Sequence, residues 1–306
     1  MSDIPFNRPY VTGAETAMMN DAVARGHLSG DGFYTRRSSS LLADITGVPN
    51  VLLTTSCTHA LEMAALLLDL GPGDEVIMPS FNFVSAANAV ALRGARPVFV
   101  DIRPDTHNID EKLIENAITS RTKAITVVHY AGVACEMDEI LTLAARHGLL
   151  VIEDNAHGLG ATYRDRNLGS MGALATLSFH ETKNIHCGEG GALLVSDPGY
   201  LERAEILREK GTNRSRFFRG QVDKYSWVDI GSSYLPSDLL AAFLTAQLES
   251  FEQIQQERMK IWSTYSSVLG AWADEHGFTL PNPPPHTKHP AHLFWMLAPD
   301  LPCRHR

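Results

Sequence analysis

Residues 149–157 read LLVIEDNAH. Four apolar residues, Leu149–Ile152, run without interruption and end at Glu153 and Asp154. An unbroken apolar run of this length predicts a strand buried on both faces, as in parallel sheets covered by helices. Asp154 then falls at the carboxyl end of that strand, where open α/β sheets bind ligands. A carboxylate placed there needs a cationic partner or several hydrogen-bond donors.

Similar runs recur upstream. Asn50–Thr54, Val76–Met78, Pro97–Val100 and Ala124–Val128 read as strands, and Thr58–Leu70, Asn82–Leu92, Glu111–Ile118 and Met137–His147 as helices. Alternation of this kind predicts an α/β fold, a mixed, mostly parallel sheet sandwiched by helices. Downstream the strands shorten to Ala175–Phe179 and Gly191–Ser196, followed by a charged segment, Glu209–Trp227. A helical stretch runs from Ser237 to about Ala273, with Ser237 and Asp238 placed to cap its start. Pro281–Pro290 (PNPPPHTKHP) reads as an extended linker. Gly26–Arg37 is too rich in glycine and charge for a core element.

The chain has 306 residues, 44% hydrophobic and 20% charged, which suits an ordinary globular protein of one large or two smaller domains. Lys and Arg number 26 and Asp and Glu 35, a net charge of −9. That balance argues against nucleic acid or an anionic membrane as the main partner, because phosphate backbones select clustered positive charge. The start shows no basic region followed by an apolar run, and no stretch approaches a ~20-residue membrane span. Cys57, Cys135, Cys187 and Cys303 lack CxxC spacing and read as free thiols. Together these features predict a cytoplasmic protein.

No HxH or HExxH pair occurs among the 13 histidines, so no metal site is expected. Cys57 stands at a strand-to-helix turn, where a helix N-terminus could lower a thiol pKa, although a small buried residue is the simpler reading. Thr54–Ala60 (TTSCTHA) sets several hydroxyls between a strand and a helix. The first turn of a helix offers unpaired N–H donors and partial positive charge, so this stretch reads either as an anion site or as plain N-capping. Val151–His157 and Ser178–Asn184 (SFHETKN) supply Asp154 and Lys183. A confined lysine can form a Schiff base. With the anion site, these groups match the needs of pyridoxal phosphate: a phosphate cradle, a carboxylate for the ring nitrogen and an amine for the aldehyde.

VIEDNAHGLGATYRDRNLGSMGALATLSFHETKN, then GEGGALLVSD, with SCTHALEMAALLL, GDEVIMPSFNFVSAANAVALRGARPVFVDI and VHYAGVACEMDEI in order upstream, resembles the sugar-nucleotide aminotransferases of the DegT/DnrJ/EryC1/StrS family. These are fold-type I enzymes dependent on pyridoxal phosphate, and the resemblance runs from Ile4 to Met296. It implies that Lys183 is the Schiff-base lysine, that Asp154 pairs with the pyridine nitrogen, and that His157 lies beside the ring 3-hydroxyl. Phe83 would stack on the ring, and Thr58, His59 and Ser178 would contact the phosphate.

GDGFYTRR, SFHETKN and REKGTNRSRFFRGQVDKYSWVDIGSSYLPSDLLAA resemble the TDP-4-amino-4,6-dideoxygalactose transaminase branch. That branch implies glutamate as donor and a TDP-4-oxo-6-deoxy sugar as acceptor, on the route to enterobacterial common antigen. Arg214, Arg216 and Arg219 are candidates for the nucleotide diphosphate, against the reading of an exposed basic loop. His180 reads as structural. A lysine at 183, where the family's dehydratases carry histidine, points to transamination. The rival readings are a 3-keto-sugar aminotransferase and a catalytically impaired cofactor-binding fragment.

The family further implies a homodimer, a large cofactor-binding domain over 1–240 and a small C-terminal domain starting in 241–306. Many relatives carry an asparagine that reaches the neighbouring subunit's phosphate; here GSSYL places Leu235 there, as in the closer branch. Relatives continue for several tens of residues past AHLFWM, and LPCRHR does not resemble their continuation. The expectation is an incomplete small domain and a less stable product.

Overall fold

The computed structural model describes residues 5–305; Ile4, where the family resemblance begins, lies outside them. Seven strands build the central sheet: β1 (Val51–Thr54), β2 (Glu75–Pro79), β3 (Arg96–Val100), β4 (Thr122–Val128), β5 (Leu150–Asp154), β8 (Leu174–Ser178) and β9 (Gly191–Val195). A three-stranded sheet adds β6 (Thr162–Tyr163), β7 (Arg166–Asn167) and β10 (Thr287–Lys288). The main order is β1-β9-β8-β5-β4-β2-β3. From β3 to β8 neighbouring strands are parallel, and β9 is antiparallel to both β8 and β1. The mixed, mostly parallel sheet expected from the apolar runs is present.

Among the described residues eleven α-helices accompany it: α1 (Glu15–Ala24), α2 (Phe33–Thr46), α3 (Cys57–Leu67), α4 (Val84–Ala91), α5 (Glu111–Ala117), α6 (Met137–His147), α7 (Leu201–Arg208), α8 (Arg214–Phe218), α9 (Asp238–Glu249), α10 (Phe251–His276) and α11 (Leu301–Arg304). Successive strand residues point to opposite faces. Thus Leu52, Ile152 and Leu193 join the core beneath α3, α4 and α7, whereas Leu53 and Leu194 pack toward α2 and α9. Val151 and Ile125 pack with residues of α5 and α6. Both faces are covered, which is why these strands read as unbroken apolar runs.

Several local expectations need correction. α2 begins inside Gly26–Arg37, and Tyr34 and Thr35 are buried. Asp238 lies near α2 and caps it, accepting from the backbone N–H groups of Tyr34 (3.1 Å) and Thr35 (2.7 Å) and from the Thr35 hydroxyl (2.8 Å). A Cβ at Gly32 would come within 2.3 Å of the Asp238 carboxylate, so glycine is required there. Ser237 alone caps α9, through Leu240 N–H. The long helical stretch breaks at Ser250 into α9 and α10, and α10 continues to His276. The proline-rich stretch is extended, as expected, yet it is not a free linker: Thr287 and Lys288 pair with Tyr163 and Thr162. Residues on both sides of 240 share one cluster, in which Ala241, Leu244, Leu248 and Ile254 pack with Leu42 and Leu53.

Among the described residues no helix is long and apolar enough to cross a membrane. No group of three or more His, Cys, Asp or Glu among them could hold a metal ion.

Candidate active site

The carboxyl ends of the parallel strands point to one edge of the sheet, and a cavity of about 710 Å³ opens there. β1 delivers Ser56, Cys57 and Thr58 at the start of α3, β2 delivers Asn82 and Phe83, β5 ends on Asp154, and β8 ends on Ser178. Asp154 and Ser178 are the last residues of their strands, and the others follow within a few residues of theirs, so the sheet fixes where these side chains sit.

One end of the cavity is rich in hydrogen-bond donors. Ser56 caps α3 by accepting from His59 N–H (3.1 Å). Thr58 Oγ1 and Ser85 Oγ lie 2.7 Å apart, and Ser178 completes the hydroxyl set. β9 starts close beneath this turn. A Cβ at Gly191 would fall 2.3 Å from the Ser56 carbonyl carbon, so only glycine lets strand and helix approach so closely. The helix N-terminus and hydroxyls suit an anion.

Opposite lie Asp154 and Lys183. Asp154, 6% exposed, accepts from Ala156 N–H (3.1 Å). Burial pushes its carboxyl above the ordinary range, opposed by that N–H and by the charge of Lys183. Lys183 sits in the loop between β8 and β9, a hairpin closed by Glu181 N–H to Gly188 O (2.9 Å) and Cys187 N–H to Phe179 O (2.9 Å). Burial lowers its ammonium pKa, and the negative charge of Asp154 offsets part of that effect. An amine more easily freed of its proton is a better nucleophile and base. His157 has its pKa pushed down to about 3 by burial and by the Lys183 charge, so its ring is neutral. The Cys57 thiol is driven up, chiefly by burial and also by the charge of Asp154, so the helix N-terminus does not activate it.

Of the residues singled out in the sequence, Thr58, Phe83, Asp154, His157, Ser178 and Lys183 line this cavity. Phe83 ends the loop before α4 and is 74% exposed. His59 does not line it: its Nδ1 meets Thr55 Oγ1, and its ring packs 5.2 Å from Tyr234. Arg214, Arg216 and Arg219 lie apart from the cavity, each with a carboxylate partner. Arg214 reaches Glu209 at 3.3 Å, Arg216 reaches Glu202 at 2.7 Å, and Arg219 grips Glu205 at 2.9 and 2.7 Å. Leu235 lies against the N-terminal side of α2, where a Cβ on Gly30 would strike its side chain.

His180, read from the sequence as structural, also lines the cavity, its Nδ1 2.9 Å from Thr182 Oγ1. Tyr130 and Glu189 line it without a sequence signal of their own. Asn82 lines it too, and both of its side-chain amide atoms are buried without a hydrogen-bond partner. Behind Asp154, the buried His129 meets Glu153 at 3.0 Å, and Glu153 also accepts from the N–H groups of Gly169, Met171 and Gly172. Burial alone would push the Glu153 carboxyl up; these hydrogen bonds, led by that from His129, hold it below its ordinary value.

The donor set fits pyridoxal phosphate. Hydroxyls and a helix N-terminus face a phosphate, a carboxylate is available to a protonated ring nitrogen, and a desolvated lysine to an aldehyde. The unpartnered amide of Asn82 is a further group that a bound ligand can satisfy.

Residues 9–305 match the family model described as the DegT/DnrJ/EryC1/StrS aminotransferase family. The chain is 35% identical over 301 residues to GDP-perosamine synthase of Caulobacter vibrioides, covering 97% of this chain and 78% of that protein. The aminotransferase TlmJ of Streptoalloteichus hindustanus superposes with a TM-score of 0.88 at 30% identity, over 96% of this chain and 78% of its own. Spr1654 of Streptococcus pneumoniae, solved in its PLP form, superposes with a TM-score of 0.88 at 27% identity, over 97% and 78% of the two chains. The chain belongs to the DegT/DnrJ/EryC1/StrS family of sugar aminotransferases, whose enzymes depend on pyridoxal phosphate.

Proposed function

We propose that the chain transfers an amino group from glutamate to the keto carbon of a nucleotide-linked deoxy sugar, with the 4-keto carbon of a TDP-4-oxo-6-deoxy sugar as the acceptor position. The carrying observation is Lys183, half-buried near Asp154 in one cavity with the hydroxyls of Thr58, Ser85 and Ser178. A lysine rather than a histidine at this place favours transamination over dehydration. The nucleotide sugar in the name of the Caulobacter relative supports an acceptor of that class, and the GSSYL and SFHETKN stretches support the 4-keto branch.

When bound, the cofactor supplies an electron sink for the carbanion that transamination requires. The chain's own residues do the rest. The first turn of α3, with Thr58, Ser85 and Ser178, holds the phosphate. Asp154 holds a proton on the pyridine nitrogen, since a buried carboxylate is satisfied by a cation there. Phe83 covers the ring. His157 Nδ1 accepts Ala131 N–H (3.3 Å), which leaves the Nε2 proton of the neutral ring as a donor to the 3-hydroxyl oxygen. The Lys183 Nζ carries a proton between the donor's α-carbon and the cofactor, then the reverse for the sugar. Arg214, Arg216 and Arg219 are assigned to the nucleotide diphosphate, which requires their exchange from Glu209, Glu202 and Glu205.

The reading extends to a homodimer acting in the cytoplasm, on a route to a cell-surface polysaccharide such as enterobacterial common antigen. It keeps a cofactor-holding domain over 1–240 and a smaller domain over 241–306, joined through the core cluster that Leu244 and Ile254 share with Leu42. The deciding experiment is an absorbance spectrum of the protein with pyridoxal phosphate before and after glutamate. Conversion to pyridoxamine phosphate, followed by its reversal with TDP-linked but not GDP-linked 4-keto sugar, is the expected result. A bound cofactor indifferent to glutamate would favour the impaired-fragment reading, and reversal by a 3-keto sugar would favour the rival acceptor.

A further inference from the structure

The chain just past the proline-rich stretch places a second imidazole behind His157, in a small space that adjoins the cavity. His292 stacks on His157, ring centroids 4.2 Å apart and planes 26° from parallel. The stretch around it is tied down from three sides. Asn184, next to Lys183, donates to Pro290 O (2.7 Å) and Gln255 Oε1 (3.0 Å). Arg258 of α10 donates to Ala291 O (3.3 Å) and His292 O (2.8 Å). Three residues on, Trp295 packs against His107, 4.4 Å between ring centroids.

Both rings have a defined tautomer. The Pro290 carbonyl is an acceptor only, so the Asn184 atom facing it is the NH2 and its Oδ1 is an acceptor. His292 Nδ1 lies 2.9 Å from that Oδ1 and therefore carries the proton. His157 Nδ1 instead accepts from Ala131 N–H. The backbone is strained at both rings. Ala131 has φ 57° and Ala291 has φ 50°, left-handed values that disfavour a residue with a Cβ. One strained alanine aims the N–H at His157, and the other turns the chain to lay His292 on it. Strain retained on both sides of one contact is expected where geometry serves a site.

We propose that His292 is a positioning residue: its ring is the back wall that fixes the plane of the His157 imidazole and so the direction of the Nε2 proton toward a bound ligand. This rests on the reading of His157 and Lys183 as cofactor residues. The proposal assigns the ring, not the hydrogen bond to Asn184, as the working part. Without it, His157 gains freedom to rotate and water gains access beneath it.

The test titrates pyridoxal phosphate into the full chain and into His292→Ala, His292→Phe and His292→Gln. Binding is followed by absorbance, and the His157 ring by histidine-selective NMR. Phe keeps a stacking ring and loses the Nδ1 donor; Gln keeps a donor and loses the ring. Loss of an orienting partner weakens a ligand site about 10- to 100-fold. The expected result is a dissociation constant raised about tenfold or more in Ala and Gln, with a mobile His157 resonance titrating nearer pH 6.5. In Phe the affinity and the resonance stay near wild type. Equal affinity and an unchanged His157 resonance in Ala and Gln overturn the proposal, as does rescue by Gln but not by Phe. Absence of pyridoxal phosphate binding to the wild-type chain would overturn the functional reading instead.

Discussion

His129 Nε2 lies 3.0 Å from Glu153 Oε2, and neither side chain has any exposed surface. His129 Nδ1 accepts Cys135 N–H (3.2 Å), so the Nε2 proton is the one donated to Glu153. The pair joins β4 to β5 one residue before Asp154. Removing one partner of a buried pair leaves the other unsatisfied, which costs about 3–5 kcal/mol. His129→Leu is expected to lose about 3 kcal/mol in urea unfolding, and a loss below about 1 kcal/mol would show that the three amides suffice for Glu153.

Lys183 is expected to carry the proton transfer. In Lys183→Ala the rate of the glutamate half-reaction should fall by about four orders of magnitude, the upper range for a positioned acid–base group. Borohydride should no longer fix the cofactor to the chain. Retained fixation in a single-turnover experiment would move the role to another amine.

The stacked histidines have a stability signature. Burial pushes His157 down to about 3 and His292 well below its ordinary value. Unfolded, both take up a proton near pH 6.5. The unfolded chain therefore binds more protons below that pH, and stability present above about pH 6.5 is lost as pH falls toward about 3. Each ring contributes a slope of up to about 1.4 kcal/mol per pH unit. Urea midpoints of the cofactor-free protein at pH 7, 6 and 5 should fall steadily. They should fall less in the double variant His157→Phe, His292→Phe; an identical slope would count against buried neutral rings.

Asp238 is expected to act on α2 rather than on α9. Asp238→Ala removes three hydrogen bonds to Tyr34 and Thr35 and should cost about 2 kcal/mol, the upper range for a lost cap. Ser237→Ala removes a 3.4 Å contact and should cost less. Equal losses would refute the division of roles.

Arg216 and Arg219 are partly exposed, and their pairs with Glu202 and Glu205 contribute at most about 1 kcal/mol each. Alanine at both should leave pyridoxal phosphate affinity within about twofold and the glutamate half-reaction unchanged. A raised KM confined to the nucleotide sugar is the expected outcome, and an unchanged KM would remove them from the diphosphate site.

Much of this architecture was legible because parallel strands are buried on both faces. Leu149–Ile152 shows it as an unbroken apolar run, and the strand it forms ends on Asp154. Lys183 and the hydroxyls of α3 were legible through local motifs. What stayed hidden depends on contacts between distant segments. Asp238 looks like a cap for its own helix, and nothing in the sequence reveals that Tyr34 and Thr35 compete for it. His292 stands 135 positions from His157, in a stretch whose prolines speak only of extension. Asn82 is one residue of an aromatic loop, and only burial without a partner sets it apart.

Among the described residues the edge strand β1 pairs only with β9, Val51 against Leu194 through Thr54 against Gly191. α2, next to it in sequence, takes its cap from a residue 204 positions away. The donor-rich turn after β1 likewise packs against Gly191, chain synthesised long after it. On a ribosome the first fifty residues must wait, apolar side chains uncovered, until positions 191–195 and then 238 emerge. Chain closure over such separations is slow. A chain halted before residue 238 could pair β1 with β9 but would leave the start of α2 without its cap.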